Sequence, residues 1–153
     1  MTPPPSPSDG DFSTLFNFLP IGAYRSLPDG LMLRANQALV RLNGYEDEAQ
    51  LLQGVRDIAS EWYVQPGRRA EFVAILIRDG FVKGFVSEIW RHKTRERVWI
   101  SENAHVVRNG SGEVVFYEGT VEDITDRIRV QEALRQSQEQ LKRITDQMPG
   151  MVF

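Results

Sequence analysis

The strongest constraint on the fold of this chain is a pair of strand-like segments joined by a short glycine-rich linker. Residues 98–108 and 114–123 alternate apolar and polar side chains, and Asn109-Gly110-Ser111-Gly112 separates them. A period of two is typical of a strand with one buried face, and a linker of this composition favours the tight turn of a β-hairpin. The sequence therefore predicts a long antiparallel hairpin in residues 98–123.

The remaining pattern supplies three more strands and several short helices. Two strands are predicted at residues 23–26 and 31–35, joined by a turn at Pro28-Asp29-Gly30, and a third at residues 85–93. Apolar spacing and capping signals predict helices at residues 11–19, 36–42, 46–52, 58–63 and 66–78. The predicted class is α+β, an antiparallel five-stranded sheet with helices on one face and a short N-terminal helix before it.

Length and composition bound the kind of protein. The chain has 153 residues, of which 41% are hydrophobic, so it can build one core of ordinary size. Its net charge of −3 gives no reason to expect nucleic acid or an anionic membrane as partner. No apolar run approaches the ~20 residues that span a bilayer, and we expect a cytoplasmic location. Residues 1–10, with four prolines, are predicted to be a disordered lead-in.

Several chemistries lack the residues they need. The chain has no cysteine, which excludes disulfides, thiolate metal sites and cysteine nucleophiles. His92 and His105 have no metal-ligand spacing, and no nucleophile–base pair or phosphate loop is present. We predict no metal site and no catalytic residue. The basic run from Arg91 to Arg97 lies on a hairpin tip beside Glu88, Glu96 and Glu102, and is predicted to be a solvated edge rather than a nucleic-acid contact.

Residues 126–147 carry apolar side chains at heptad spacing. Intervals of 4, 3, 4, 3 and 4 separate the seam positions, of which Ser137 is the one polar member. Such a narrow seam predicts a coiled coil and hence a homodimer, because one helix cannot bury it alone. The alternative is an amphipathic helix folded back on its own domain. The apolar seam residues are Val130, Leu134, Leu141, Ile144 and Met148.

Residues 11–125 as a whole resemble a PAS domain, and the resemblance rests on the order and spacing of short motifs. These motifs are Asn36-Gln37-Ala38 with Gly44-Tyr45, Arg91-His92-Lys93 with Trp99-Ile100, and Gly112 with Tyr117-Glu118-Gly119 and Asp123-Ile124-Thr125. The resemblance implies a sensory module without catalysis of its own. It also implies that Asp123, Ile124 and Thr125 relay a signal from the sheet to the helix that follows.

The end of the chain repeats part of its beginning. Ile144, Met148 and Pro149, followed by Phe153, echo Leu15, Leu19 and Pro20, followed by Tyr24. A second PAS-like unit is therefore predicted to start within residues 141–153, in a fragment of a longer protein, with chance similarity as the alternative.

The resemblance further implies a ligand pocket between the sheet and the helices. It places one face of residues 98–107 inward, which would bury the carboxylate of Glu102 among apolar neighbours, at a cost unless that group is hydrogen-bonded, paired or protonated. Register shifted by one, and simple core packing, are the alternatives. The predicted lining is Ile100, Glu102 and Ala104, with Glu88 and Trp90 on the next strand and Trp62, Phe72, Ile75 and Leu76 on the helical side.

The identity of a cofactor stays unknown at this stage. A haem-binding relative would be expected to place a histidine on the helix at residues 66–78, which has none, and flavin adducts need the absent cysteine. Flavin held without an adduct is compatible with the sequence. The leading hypothesis is a sensory and dimerisation module that binds a small ligand or partner and signals to an output domain, a histidine kinase first and a diguanylate cyclase second. The rival hypothesis is a ligand-free interaction module.

Overall fold

The structure, a computed structural model, describes the backbone of residues 7–147 and the side chains of residues 13–147. Two compact units divide the chain, at residues 1–123 and 124–153. The first contains helices α1 (Pro7–Phe18), α2 (Gln37–Leu42), α3 (Glu48–Gly54), α4 (Ile58–Glu61) and α5 (Arg68–Asp79), and strands β1 (Gly22–Ser26), β2 (Met32–Ala35), β3 (Phe81–Trp90), β4 (Arg97–Arg108) and β5 (Val114–Asp123). The second contains α6 (Thr125–Gln147).

The five strands form one antiparallel sheet in the order β2-β1-β5-β4-β3. The first and last strands of the unit are therefore neighbours in the middle of the sheet. On one face α2 packs against β1, α3 against β2, and α5 against β3 and β4. The predicted α+β class, with an antiparallel five-stranded sheet, is confirmed. We call the face covered by these helices the inner face.

The predicted hairpin at residues 98–123 is present as β4 and β5. Asn109 organises its turn, because its side-chain Oδ1 accepts hydrogen bonds from the backbone amides of Ser111 (2.9 Å) and Glu113 (3.0 Å). Gly112 follows with φ +82°, a conformation that glycine adopts without steric cost. Local turn chemistry is thus sufficient to explain where these two strands meet.

Asn36 ties three segments together at the start of α2. Its buried side chain accepts hydrogen bonds from the amides of Leu39 (3.1 Å) and Ala23 (2.8 Å). Its Nδ2 donates to the carbonyls of Phe16 and Ile21, both at 2.9 Å. The helix N-cap, β1 and the end of α1 therefore depend on one amide whose hydrogen-bonding capacity is fully used.

Two apolar clusters fill the interior. The first joins α2, α3, α4 and the residues just after α4 to all five strands, and the second joins α5 to β3, β4 and β5. The large buried side chains of the first include Tyr24, Met32, Leu39, Leu51, Ile58, Trp62, Tyr63, Ile89 and Ile100. Those of the second are Phe72, Leu76, Phe85 and Tyr117.

The predicted bounds of two elements differ most from the structure. Helix α1 begins at Pro7 rather than at residue 11, so it includes residues 7–10 of the predicted lead-in; residues 1–6 lie outside the described part. Proline is tolerated in the first turn of a helix, because its missing amide has no partner there. Strand β3 spans Phe81–Trp90 rather than residues 85–93; its early start escapes the pattern, because the register shifts between Val82 and Phe85 and interrupts the alternation.

Helix α6 and the preceding Ile124 are the part of the second unit that the structure describes. The helix runs without interruption through Gln147, and its described apolar seam residues are exposed by 44–68%. Away from the seam, Arg135 forms ion pairs with Glu132 and with Glu139. The helix is as the sequence predicts, whereas its pairing in a coiled coil stays a prediction. Met148 lies outside the described residues, as does the part after residue 147 of the second PAS-like domain that the sequence predicts.

Candidate functional site

A buried carboxylate lies at the centre of the inner face. Glu102 on β4 is fully buried, and its two oxygens accept hydrogen bonds from two tyrosines. The hydroxyl of Tyr63 donates to Oε1 at 2.6 Å, and the hydroxyl of Tyr24 donates to Oε2 at 3.2 Å. We call Glu102, Tyr24, Tyr63 and Arg69, which is described below, the Glu102 cluster. Burial of a carboxylate is tolerated here because it is hydrogen-bonded on both oxygens.

Tyr24 reaches Glu102 across the intervening strand β5. Tyr24 on β1 is opposite Gly119 on β5, which is in turn opposite Ala104 on β4. A Cβ atom at Gly119 would lie 3.0 Å from the Tyr24 hydroxyl oxygen and 2.9 Å from the Ala104 Cβ. The missing side chain at Gly119 therefore leaves the space that the tyrosine occupies.

Tyr63 approaches from the segment between α4 and α5, which is anchored to the sheet edge. Tyr63 forms a bridge with Ile89, and the amide of Val64 donates to the carbonyl of Glu88 at 3.1 Å. The amide of Trp90 donates to the carbonyl of Trp62 at 2.8 Å. This segment extends the hydrogen bonding of β3, so the Tyr63 hydroxyl is positioned by backbone contacts.

Arg69 supplies the positive charge of the cluster. It lies in the first turn of α5 with only 6% of its surface exposed, and its guanidinium lies 5.2 Å from the ring centre of Phe72 and 5.8 Å from that of Tyr117. Its Nη2 is buried without a hydrogen-bond partner among the described residues, as is the hydroxyl of Ser26. The charge of the guanidinium acts on Glu102 and also on the hydroxyls of Tyr24 and Tyr63.

The balance of these effects raises the pKa of Glu102 from 4.5 to about 7. Burial is the largest cause, and the Tyr63 hydrogen bond, the Arg69 charge and the Tyr24 hydrogen bond oppose it. Burial and the charge of Glu102 raise the pKa values of both tyrosines, so they stay protonated donors. The cluster can thus take up and release a proton near neutral pH at Glu102.

The other residues predicted to line a pocket are divided between the two apolar clusters of the interior. Trp62 and Ile100 are buried in the first, and the Trp62 indole donates to Asn43 Oδ1 at 3.0 Å. Phe72, Leu76 and Ala104 are buried in the second, where Ile75 is partly buried. The Glu102 cluster connects the two apolar clusters, since Tyr24 and Tyr63 belong to the first and the Arg69 guanidinium lies near the rings of Phe72 and Tyr117 of the second. The pocket between sheet and helices stays a prediction.

The prediction that Glu88 and Trp90 face inward is wrong. Beyond the register shift, Phe85, Ser87 and Ile89 occupy the inner face of β3, which leaves Glu88 and Trp90 on the opposite face. There the guanidiniums of Arg95 and Arg97 lie 5.1 and 5.0 Å from the Trp90 ring centre. Arg97 also approaches Glu88 at 3.8 Å.

Sequence reasoning missed the residues that surround Glu102. Tyr24 and Tyr63 were assigned no role, and Arg69 has the position of an ordinary solvated residue in the first turn of a helix. One signal was available for Tyr24: it alternates with Arg25 on a predicted strand, as an inward residue does. We find no local signal for Arg69.

A cavity of about 930 Å³ lies on the outer face of the sheet, beside α1. Leu15, Phe16 and Leu19 contribute apolar surface from the α1 side, and Phe81 contributes from β3. The strand floor is polar and includes an ion pair of 2.7 Å between Arg25 and Glu118, and His105, whose Nε2 lies 3.3 Å from Glu118. Tyr24 of the Glu102 cluster and Ala104 of the predicted pocket lining also contribute to this outer groove.

Comparison with known proteins places this architecture among solved structures. An RNA-binding light-oxygen-voltage receptor matches 91% of this chain with a TM-score of 0.70 and 20% identity, and the chain spans 40% of that protein. The PAS domain of a Colwellia psychrerythraea protein matches 78% of this chain, and 98% of its own length, with a TM-score of 0.65 and 16% identity. The chain has the PAS fold. A sensory box histidine kinase/response regulator from Burkholderia thailandensis shares it, with a TM-score of 0.59 and 25% identity over 86% of this chain and 98% of that one.

The predicted resemblance to PAS domains is therefore confirmed as a fold. No protein-family model and no curated protein matches the sequence significantly. The fold is recognised by its three-dimensional arrangement at identities of 25% or less among these three structures.

The three predicted relay residues lie at the end of the PAS sheet. Asp123 is the last residue of β5 and is opposite Ile100 on β4. Ile124 is buried, and its carbonyl accepts the amide of Ile128 at 2.9 Å. Thr125 is the first residue of α6. Strand and helix thus follow each other with one residue between them, and the relay role of these residues stays a prediction.

The two histidines are each engaged separately. His92 Nδ1 lies 2.6 Å from the Tyr45 hydroxyl, and its Nε2 lies 3.3 Å from Glu61. Within residues 13–147, no three histidine or acidic side chains come together as metal ligands would. Among the helices that the structure describes, we find none with the length and apolar character of a membrane span.

Proposed function

We propose that this chain is a sensory and dimerisation PAS module that responds to a small ligand or partner and relays the change through α6 to an output domain. The proposed output is a histidine kinase, because solved neighbours of this fold include domains of such kinases. A diguanylate cyclase is the alternative output. The module itself is proposed to be non-catalytic and cytoplasmic, without nucleic acid as partner.

The observation that carries this proposal is the exposed seam of α6. Four apolar side chains at heptad spacing face solvent on a 23-residue helix that starts directly after the last strand of the fold. Burying such a seam against an identical helix is favourable, whereas exposure of repeated large apolar side chains is not. A second copy of the chain supplies the matching seam, and a paired helix can carry a rotation or register change to whatever follows it.

Leu134→Asp is expected to weaken dimerisation of the full chain, lowering the association constant by at least about tenfold. The substitution puts a charge in the seam, where pairing would bury it. Analytical ultracentrifugation over a concentration series measures the effect. Gln136→Asp is the matched control, because residue 136 lies away from the seam and carries the same cost in helix propensity. A wild-type chain that is monomeric, or a dimer indifferent to Leu134→Asp, contradicts the proposed role of α6.

The ligand-free interaction module is the second candidate function. It is favoured by the inner face, where buried side chains of the two clusters and the Glu102 cluster occupy the region predicted to hold a ligand. Native mass spectrometry and an absorption spectrum of the purified chain separate the two functions. A retained small molecule or chromophore supports a ligand sensor, whereas an unliganded dimer favours the interaction module.

A further inference from the structure

We propose that the Glu102 cluster is a proton-binding site, and that the signal this module responds to is the proton concentration. The inference rests on the proposed sensory function, for which it names the ligand. It is carried by the arrangement of two hydroxyl donors and one cation around a single acceptor that is shielded from solvent.

The hydrogen-bond pattern around Glu102 fits its ionised form. Both tyrosine hydroxyls donate, and each carboxylate oxygen accepts one of them, at 2.6 Å and 3.2 Å. A proton bound to the carboxylate makes Glu102 a third hydrogen-bond donor, beside Tyr24 and Tyr63. The longer contact is the weaker one, so we place the proton on Oε2. The Glu102 hydroxyl then donates to Tyr24 Oη, and the Tyr24 proton must turn to another acceptor.

Proton uptake also changes the charge of a shielded region. Glu102 becomes neutral, and the charge of buried Arg69 loses its counter-charge. The titratable and charged groups that act on Glu102 are Tyr24 from β1, Tyr63 from the segment before α5, and Arg69 and Arg68 from α5. The neighbouring strands present Phe85 and Val121 opposite Glu102, neither of which titrates. The cluster thus passes from a neutral pair to a net positive charge.

The position of the cluster connects this change to the end of the sheet. Glu102 is opposite Val121, which lies two residues before Asp123 at the end of β5. Tyr24 lies on β1, which pairs with β5 along Gly22–Ser26. A change in the hydrogen bond between Tyr24 and Glu102 therefore affects β1 and β4, the two strands that pair with β5. The raised pKa of Glu102, about 7, puts the transition near neutral pH.

Carboxyl carbon NMR of the uniformly ¹³C-labelled full chain tests the proton site directly. We expect one glutamate side-chain carboxyl to titrate with a midpoint within one pH unit of 7, and its resonance to be missing in Glu102→Gln. The matched control is Glu118→Gln, which removes a partly exposed carboxylate paired with Arg25 on the outer face and should leave the neutral titration unchanged. Imidazole carbons are resolved from carboxyl carbons, so the two histidines do not interfere.

A second variant keeps the test decisive if Glu102→Gln fails to fold. Tyr63→Phe removes the shorter hydrogen bond to the carboxylate and should raise the midpoint by about one pH unit. Glutamate carboxyls that all titrate below pH 5.5 overturn the proton site. Titration of Glu102 without any change in the amide resonances of β5 overturns the proton as signal. In either case dimerisation through α6 can still be measured, so the proposed function is judged separately.

Discussion

Arg69→Met is expected to lower the free energy of unfolding by about 3 kcal/mol at pH 8 and by much less at pH 5. The substitution keeps most of the apolar stem that packs near Phe72 but removes the positive charge beside a fully buried carboxylate. At pH 8 the wild-type Glu102 is ionised, so the variant must either bury this carboxylate without a cation or bind a proton there, whereas at pH 5 Glu102 is protonated in both chains. Urea denaturation followed by circular dichroism at the two pH values measures the difference.

The direction of the pH effect follows from proton binding in the folded and unfolded chains. Burial raises the pKa of Glu102 from 4.5 to about 7, so between these values the folded chain holds a proton that the unfolded chain has lost. The free energy of unfolding therefore falls as pH rises through this window, by about 1 kcal/mol per pH unit from this group, and the effect is complete above pH 7. Arg69→Met raises the folded pKa further and extends the window to higher pH.

Two further variants identify the cause. Arg78→Met, on the same helix, removes an exposed arginine paired with Asp79 and is expected to change stability little at either pH. The double variant Arg69→Met with Glu102→Gln is expected to recover most of the stability lost at pH 8, because no buried charge is left unpaired. Equal destabilisation by Arg69→Met at both pH values, without recovery in the double variant, would show that Arg69 acts through packing alone.

Gly119→Ala is expected to lower the free energy of unfolding by about 3 kcal/mol. The added Cβ would lie 2.5 Å from the backbone carbonyl oxygen of Asn103, 2.9 Å from the Cβ of Ala104 and 3.0 Å from the hydroxyl of Tyr24. The first two neighbours belong to β4, paired in the sheet, and cannot move away without distorting it. The third is the donor to Glu102, so the substitution also disturbs the Glu102 cluster. Thermal or urea unfolding measures the loss.

Gly110→Ala is the matched control for this substitution. A Cβ atom at Gly110, in the turn between the same two strands, meets no atom within 4 Å. We expect a change within about 0.5 kcal/mol there, since surface substitutions without contacts usually fall in that range. If Gly119→Ala leaves both the stability and the Glu102 titration unchanged, the close passage of Tyr24 over β5 is refuted.

The sequence by itself determined the parts of the fold that depend on local pattern. The alternation on either side of residues 109–112 was enough for the β4–β5 hairpin, since the Asn109 side chain closes that turn locally. The heptad intervals after Thr125 were enough for α6, because helical periodicity is a local property. Together with the order of the motifs, they led to the α+β class and to the PAS fold.

The tertiary structure alone decided what surrounds Glu102 and which face of β3 is buried. Tyr24 and Tyr63 are 78 and 39 residues away in sequence from the carboxylate that they contact, and the alternation of β4 says nothing of them. Glu88 and Trp90 were assigned to the wrong face, because both faces of residues 85–90 carry apolar side chains, and only the pairing of Phe85 with Glu102 on β4 shows which face is inward. Strand pairing brings distant residues together and decides which face of a strand is buried, so neither result follows from periodicity alone.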